Sequence, residues 1–191
     1  MVAAEFSERD LDYVREEYVD LDRLCADRPE TPEQVRELID QRRLPRATYV
    51  LPDGTEMFPP DYFALLDEAG SLDAMRETFD QRYLIATSAL GLLAVEPEED
   101  WHGYLSGEFG VCLWDVSPES MVEKSALIAE IDGLTGSAAP ADEDWRSRLA
   151  DAVERLDEIE RPFTDYDRQR WGTTSRDRYI AGVRSQYLDG A

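Results

Sequence analysis

Arg161, Arg168, Arg170, Arg176, Arg178 and Arg184 fall within the stretch RPFTDYDRQRWGTTSRDRYIAGVR. A guanidinium fork binds a carboxylate or phosphate through two parallel hydrogen bonds, so a cluster of forks is chemistry for an anion. Thr173, Thr174 and Ser175 precede the last apolar pattern of the chain, where a hydroxyl caps a helix whose first N–H groups point outward. Tyr166 and Trp171 supply flat faces for an organic ligand or a cation. The types and spacing therefore suggest a site for an anionic small molecule, lined by Tyr166, Arg168, Arg170, Trp171, Ser175, Arg176 and Arg178. A plainer use competes with it: Asp165, Asp167 and Asp177 sit among the arginines, and the acidic helices upstream need counter-charge.

Other chemistry is sparser. WHGYLSGEFGVCLW brings His102 and Cys112 into one segment, but on a continuous helix ten residues separate them by about 15 Å along the axis, so only a bend at Gly107 or Gly110 would pair them. Buried cysteine is more often a small core residue. Lys124, the sole lysine, falls on the polar side of its helix, where an ammonium stays protonated and makes a surface ion pair rather than a Schiff base. Tyr104, His102 and Asp167 could do acid–base work if a pocket joined them. Glu98, Glu99 and Asp100, and likewise Asp142, Glu143 and Asp144, leave an all-carboxylate Mg or Ca site open, but such runs read first as solvated first turns complementing a helix dipole. With one His and two distant cysteines there is no zinc-ligand spacing and no Glu-x-x-His pair, and no dinucleotide, P-loop or serine-hydrolase fingerprint occurs. No metal or other cofactor is expected.

The formal charge is −23, and it is uneven: residues 96–160 carry −14 and residues 161–191 carry +2. So acidic a chain is a poor partner for nucleic acid, whose binding needs a basic surface. Nineteen of the twenty cations are arginine, a bias consistent with a high-GC coding sequence. Two cysteines make no disulfide framework and the N-terminus resembles no signal peptide, which suggests a reducing cytoplasm. The longest apolar run, LIATSALGLLAV over residues 84–95, is too short for a membrane span of about 20 residues, and reads as a buried core helix.

These groups must be positioned by helices. Ser7 with Asp10 opens the first, placing Leu11, Val14, Tyr18, Leu21 and Cys25 on one stripe, and Thr31 with Pro32 and Gln34 opens the second. ATYVLPDGTEMF (47–58) sets two β-prone runs around Pro52-Asp53-Gly54, a hairpin signal. A short helix over 60–69 ends at Gly70. Ser71 starts a longer one with Leu72, Met75, Phe79, Tyr83, Ala86, Leu90 and Leu93 in phase, expected to run through the centre of the fold because its second half is apolar on nearly every side. Residues 96–107 form another helix, GVCLWDV is ambiguous, and Ser117-Pro118-Glu119 starts a helix carrying Met121, Leu127, Ile128, Ile131 and Leu134. GSAAPADED connects it to the clearest amphipathic pattern, residues 143–160, stopped at Pro162. The arginine-rich stretch follows as a loop, then a last helix from Ser175 with Tyr179, Ile180, Val183 and Tyr187.

YVLPDGTEMFPPDYF (49–63), WHGYLSGEFGVCL with SPESMVEK (101–124), and ERPFTDYDRQRWGTTSRDRYI (160–180) resemble an actinobacterial family of uncharacterised natural-product biosynthesis proteins, over most of residues 30–187. The resemblance implies a setting in specialised metabolism and no particular reaction.

The expectation is a mainly α protein, one acidic helical domain over 1–191 with about seven helices, one small hairpin near 47–58 and an optional N-terminal helical lobe over 1–45. Its expected role is cytoplasmic binding of an anionic biosynthetic intermediate. The alternatives are a cofactor-independent enzyme acting on that intermediate and an accessory protein docking on a larger biosynthetic enzyme; no partnership with nucleic acid or membrane is expected.

Overall fold

A computed structural model describes residues 4–92, 96–136 and 142–189. The chain is mainly helical among these residues, with eleven helices and one three-stranded antiparallel sheet. The number exceeds the seven expected because several helices are single turns, too short for an apolar period to register.

Helix α1 (Glu8–Glu17) starts at the expected box: Ser7 N donates to Asp10 Oδ2 at 2.9 Å, and Asp10 N donates to Ser7 Oγ at 3.2 Å. The stripe from Leu11 to Cys25 is not one helix. Tyr18 turns extended, strand β1 (Val19–Asp20) follows, and Asp20 caps a separate α2 (Leu21–Cys25) through Arg23 N. The break recruits Val19 and Asp20 to a sheet edge while Val14, Tyr18, Leu21 and Cys25 stay buried. Helix α3 (Pro32–Asp40) begins at the Thr31 and Gln34 box.

Strands β2 (Tyr49–Val50) and β3 (Glu56–Phe58) form the expected hairpin, with Tyr49 opposite Met57. Gly54 supplies the left-handed φ of 86° that the turn requires. Strand β1 pairs on the other side of β3, Val19 opposite Phe58. The sheet thus has one strand more than the hairpin signal alone suggests.

Helix α4 (Ala64–Ala69) ends at Gly70, and α5 (Met75–Ala89) buries Met75, Phe79, Tyr83 and Thr87. The expectation that its apolar second half is buried is wrong: Leu84, Ile85 and Leu90 lie 53 %, 69 % and 50 % exposed. The helix packs through one stripe against α4 and α8; Leu84 and Ile85 lie outside that stripe and Leu90 just past its end, and they have nothing to cover them among the described residues. Leu93, placed in phase with the stripe, lies outside the described residues.

After α6 (Glu98–Ser106), the ambiguous GVCLWDV resolves into a single turn, α7 (Phe109–Cys112), followed by extended Leu113 bridging to Glu160. The acidic triplets occupy the first turns of α6 and α9. Helices α8 (Pro118–Gly136) and α9 (Glu143–Ile159) pack against each other; five residues of their GSAAPADED connection, 137–141, lie outside the described residues. Ile131, Leu149, Val153 and Leu156 form a core there with Ile180 and Val183 of α11, which spans 175–188 and is π-wound over Arg176–Ala181 and Arg184–Leu188. A larger core joins α2 through α8, and a smaller one joins α1 to the sheet. No helix among the described residues is long and apolar enough to cross a membrane.

Candidate functional site

The arginine-rich stretch is not the loop its composition suggests. Thr164 caps a helix, α10 (Asp165–Trp171), by a box with Asp167. Thr164 N and Oγ1 donate to Asp167 Oδ2 at 2.8 and 2.7 Å, and Asp167 N donates back to Thr164 Oγ1 at 3.1 Å. That carboxylate is fully buried and also accepts from Tyr49 Oη at 3.0 Å, which ties α10 to the sheet. Burial pushes Asp167 above the usual carboxylate range against the pull of these donors.

Most of the forks are occupied from within. Arg168 grips Asp177, with Nη2 to Oδ1 at 2.8 Å and Nε to Oδ2 at 3.1 Å, and sends Nη1 to the Phe163 carbonyl at 2.8 Å. Arg168, with further donors from Thr174, holds Asp177 down to about 2 although burial opposes this. Arg176 pairs with Asp157 and donates to the Glu160 carbonyl at 2.8 Å, while Arg184 takes the other oxygen of Asp157 at 2.7 Å. Arg178 lies 3.6 Å from Asp132. Arg161 is buried, donates Nε to the Leu113 carbonyl at 2.9 Å, and has its guanidinium between the rings of Tyr18 and Trp114, 4.8 and 4.4 Å from their centroids.

Among the predicted site residues, Ser175 donates to Glu160 Oε1 at 2.5 Å and Tyr166 stacks on Phe6 with 3.7 Å between centroids. Arg170 differs from its neighbours. It makes no ion pair with any described residue, and its guanidinium lies 4.2 Å from the Trp171 ring and 5.5 Å from Tyr166. The structure therefore brings Tyr166, Arg170 and Trp171 together and turns Arg168, Arg176 and Arg178 onto Asp177, Asp157 and Asp132.

The acid–base candidates do not converge. Tyr104 is buried in the larger core, His102 is 67 % exposed and pairs with Glu98 at 2.8 Å, and Asp167 lies against Tyr49. Burial pushes the Cys112 thiol up, against the pull of Lys124 beside it. Lys124 is not on the surface: its side chain is 14 % exposed and its ammonium lies 2.7 Å from Glu160. Helix α8 is apolar on more than one side, with Met121 and Val122 buried beside the lysine, so its polar face could not be told from its sequence.

Residues 73–188 match the model of a family described as a family of unknown function, DUF6058. The chain belongs to that family. No curated protein matches it, and no solved structure does. The DUF6058 segment begins just before α5 and ends with α11, so it holds both the arginine-rich stretch and the uncovered face of α5, and leaves out the sheet.

That face was missed in the sequence, although a signal for it exists. Leu84 and Ile85 fall outside the stripe of Met75, Phe79 and Tyr83, and an apolar residue off the buried stripe needs a second neighbour. A second feature also escaped notice: a 190 Å³ cleft between α1 and residues 162–168, lined by Arg9, Asp10, Tyr13 and Arg168. Arg168 is already spent on Asp177, and Asp10 accepts from Asp165 N and Ser7.

Proposed function

We propose that this DUF6058 chain is a non-catalytic accessory protein that docks on a larger enzyme, in the specialised-metabolite setting implied by the sequence resemblance. The supporting observation is the apolar face of the last turns of α5, where Leu84 and Ile85 are each more than half exposed, beside exposed Ala89, with no described residue covering them. Isolated exposed apolar side chains are common, but a contiguous group beside charged residues marks an interaction surface. The polar groups give a catalytic reading little support, since they lie apart or are consumed by internal pairs. Co-elution of the purified chain with biosynthetic enzymes from its own source tests the proposal. The wild-type chain should co-elute with one of them and a Leu84→Ser, Ile85→Ser variant should not; equal co-elution of both would remove the face from the proposal.

A second reading keeps the anionic intermediate, on one specific observation: Arg170, stacked between Tyr166 and Trp171, has no carboxylate partner among the described residues. A small aromatic carboxylate could use the guanidinium and the Trp171 ring together. Calorimetric titration with such carboxylates should show binding that Arg170→Ala abolishes; affinity unchanged in that variant would end this reading.

A further inference from the structure

The face of α5 that no described residue covers changes character along its length. One face of the helix carries Glu77, Asp80 and Gln81 in its first half and Leu84, Ile85, Ser88 and Ala89 in its second, while Phe79, Tyr83 and Thr87 are buried behind it. Beside the apolar half runs a 520 Å³ open groove whose floor includes Leu84, Thr87 and Leu92. Its walls carry the carboxylates of Asp80, Glu96 and Glu98. One cation, Arg76, lines it, and that guanidinium is already divided between Asp80 at 2.9 Å and Glu98 at 2.7 Å. Glu98, whose other oxygen lies 2.8 Å from His102 Nε2, still has 58 % of its side chain exposed, and Glu96 has no ion-pair partner among the described residues.

An apolar strip with an acidic wall selects by charge as well as by shape. Its complement is a helix with apolar residues at i, i+3 or i+4 and i+7, flanked by lysine or arginine. A second copy of this chain fits less well, because pairing the face with itself would set acidic walls together in a molecule already at −23. We infer that the α5 groove seats a basic amphipathic helix of a partner protein. The inference rests on the docking reading above and adds the chemistry of the partner.

The test uses the full chain and two fluorescent peptides with the same leucine stripe, one with lysine and one with glutamate on its polar face, followed by anisotropy at low and high salt. The lysine peptide should bind, more weakly as salt rises, and the glutamate peptide should not. Leu84→Ser with Ile85→Ser should weaken binding roughly tenfold or more, as truncation of central apolar anchors does. Glu96→Gln with Glu98→Gln should weaken it and flatten its salt dependence. Circular dichroism would confirm that both variants keep their helical content, as substitutions at exposed positions should allow.

Equal binding of the two peptides would overturn the basic partner and leave docking standing. A dimer in sedimentation that Leu84→Ser with Ile85→Ser dissociates would instead assign the face to a second copy and overturn the inference. If neither peptide binds and the chain stays monomeric, the inference fails, and the co-elution experiment separately decides whether the docking reading fails with it.

Discussion

Lys124 Nζ lies 2.7 Å from Oε1 of Glu160, a carboxylate with no exposed side-chain surface, and Ser175 Oγ donates to the same oxygen at 2.5 Å. The pair joins α8 to the end of α9 and the start of α11. Burial alone would push Lys124 down, but Cys112 and Glu160 beside it outweigh that and hold it up, so the ammonium stays charged. Glu160 Oε2 has no hydrogen-bond partner among the described residues, so little else there compensates the carboxylate.

Removing the lysine should therefore be severe. Lys124→Met leaves an uncompensated buried charge and should cost about 3–5 kcal/mol, whereas an exposed pair would cost about 0–1. Adding Glu160→Gln should recover a large part of the loss. Urea denaturation of the two variants checks this, and a loss below about 1 kcal/mol for Lys124→Met would return the pair to the surface class.

Local signals were legible in the sequence where a few adjacent residues decide the structure. The Ser7 and Thr31 caps and the Pro52-Asp53-Gly54 turn are of this kind, since their hydrogen bonds close within three or four residues. The Thr164 and Asp167 box is equally local, but the surrounding charges drew the reading toward a loop. Fork occupancy was not legible, because Arg176 and Asp157 lie on different helices and meet only after α11 packs on α9. The exposed Leu84 and Ile85 illustrate the reverse difficulty: hydropathy says that a side chain prefers burial, and only the arrangement of neighbours says whether burial is available.

Asp167 gives a pH signature. Its folded pKa is raised by burial, so the folded state holds the proton more tightly than the unfolded one, and its contribution to stability falls as pH rises from the ordinary value of 3.8 through the raised one. Asp167→Asn keeps an acceptor for Tyr49 and Thr164 and has no charge to bury. Its stability relative to wild type should therefore increase over that rise in pH and level off above it. Asp167→Ala strands those donors and should cost about 1–3 kcal/mol at low pH, a cost that shrinks over the same rise because the wild type then has a charge to bury. Denaturation curves at a series of pH values decide the matter; wild type and Asp167→Asn running parallel would contradict the assignment.

Asp177 should behave in the opposite sense. Arg168 holds its folded pKa at about 2, so the stability it contributes is present above the ordinary carboxylate value and is lost as pH falls through about 2. A carboxyl-carbon NMR titration should place its midpoint near that value, and Arg168→Met should move it up toward 3.8. An unmoved midpoint would mean that the Arg168 fork is not closed on Asp177 and is free for a ligand.

Two glycines in different surroundings predict effects of opposite sign. Gly110 lies where α7 meets the sheet, and a methyl group there would sit 2.2 Å from Thr48 Oγ1 and 3.0 Å from Pro59 Cγ. Neither can yield easily, because Thr48 is buried and its backbone N–H is bonded to the Met57 carbonyl beside the hairpin. Gly110→Ala should therefore destabilise by about 1–3 kcal/mol through overpacking. Gly133 lies inside α8 with nothing among the described residues within 4 Å of an added methyl group. There alanine only reduces the freedom of the unfolded chain and improves helix propensity, so Gly133→Ala should stabilise by roughly 0.4–1 kcal/mol. Thermal unfolding of the two single variants should move Tm in opposite directions. A matching fall in both would mean that the exposed side of α8 near Gly133 is covered, and that the accessible surface ascribed to this helix is in use.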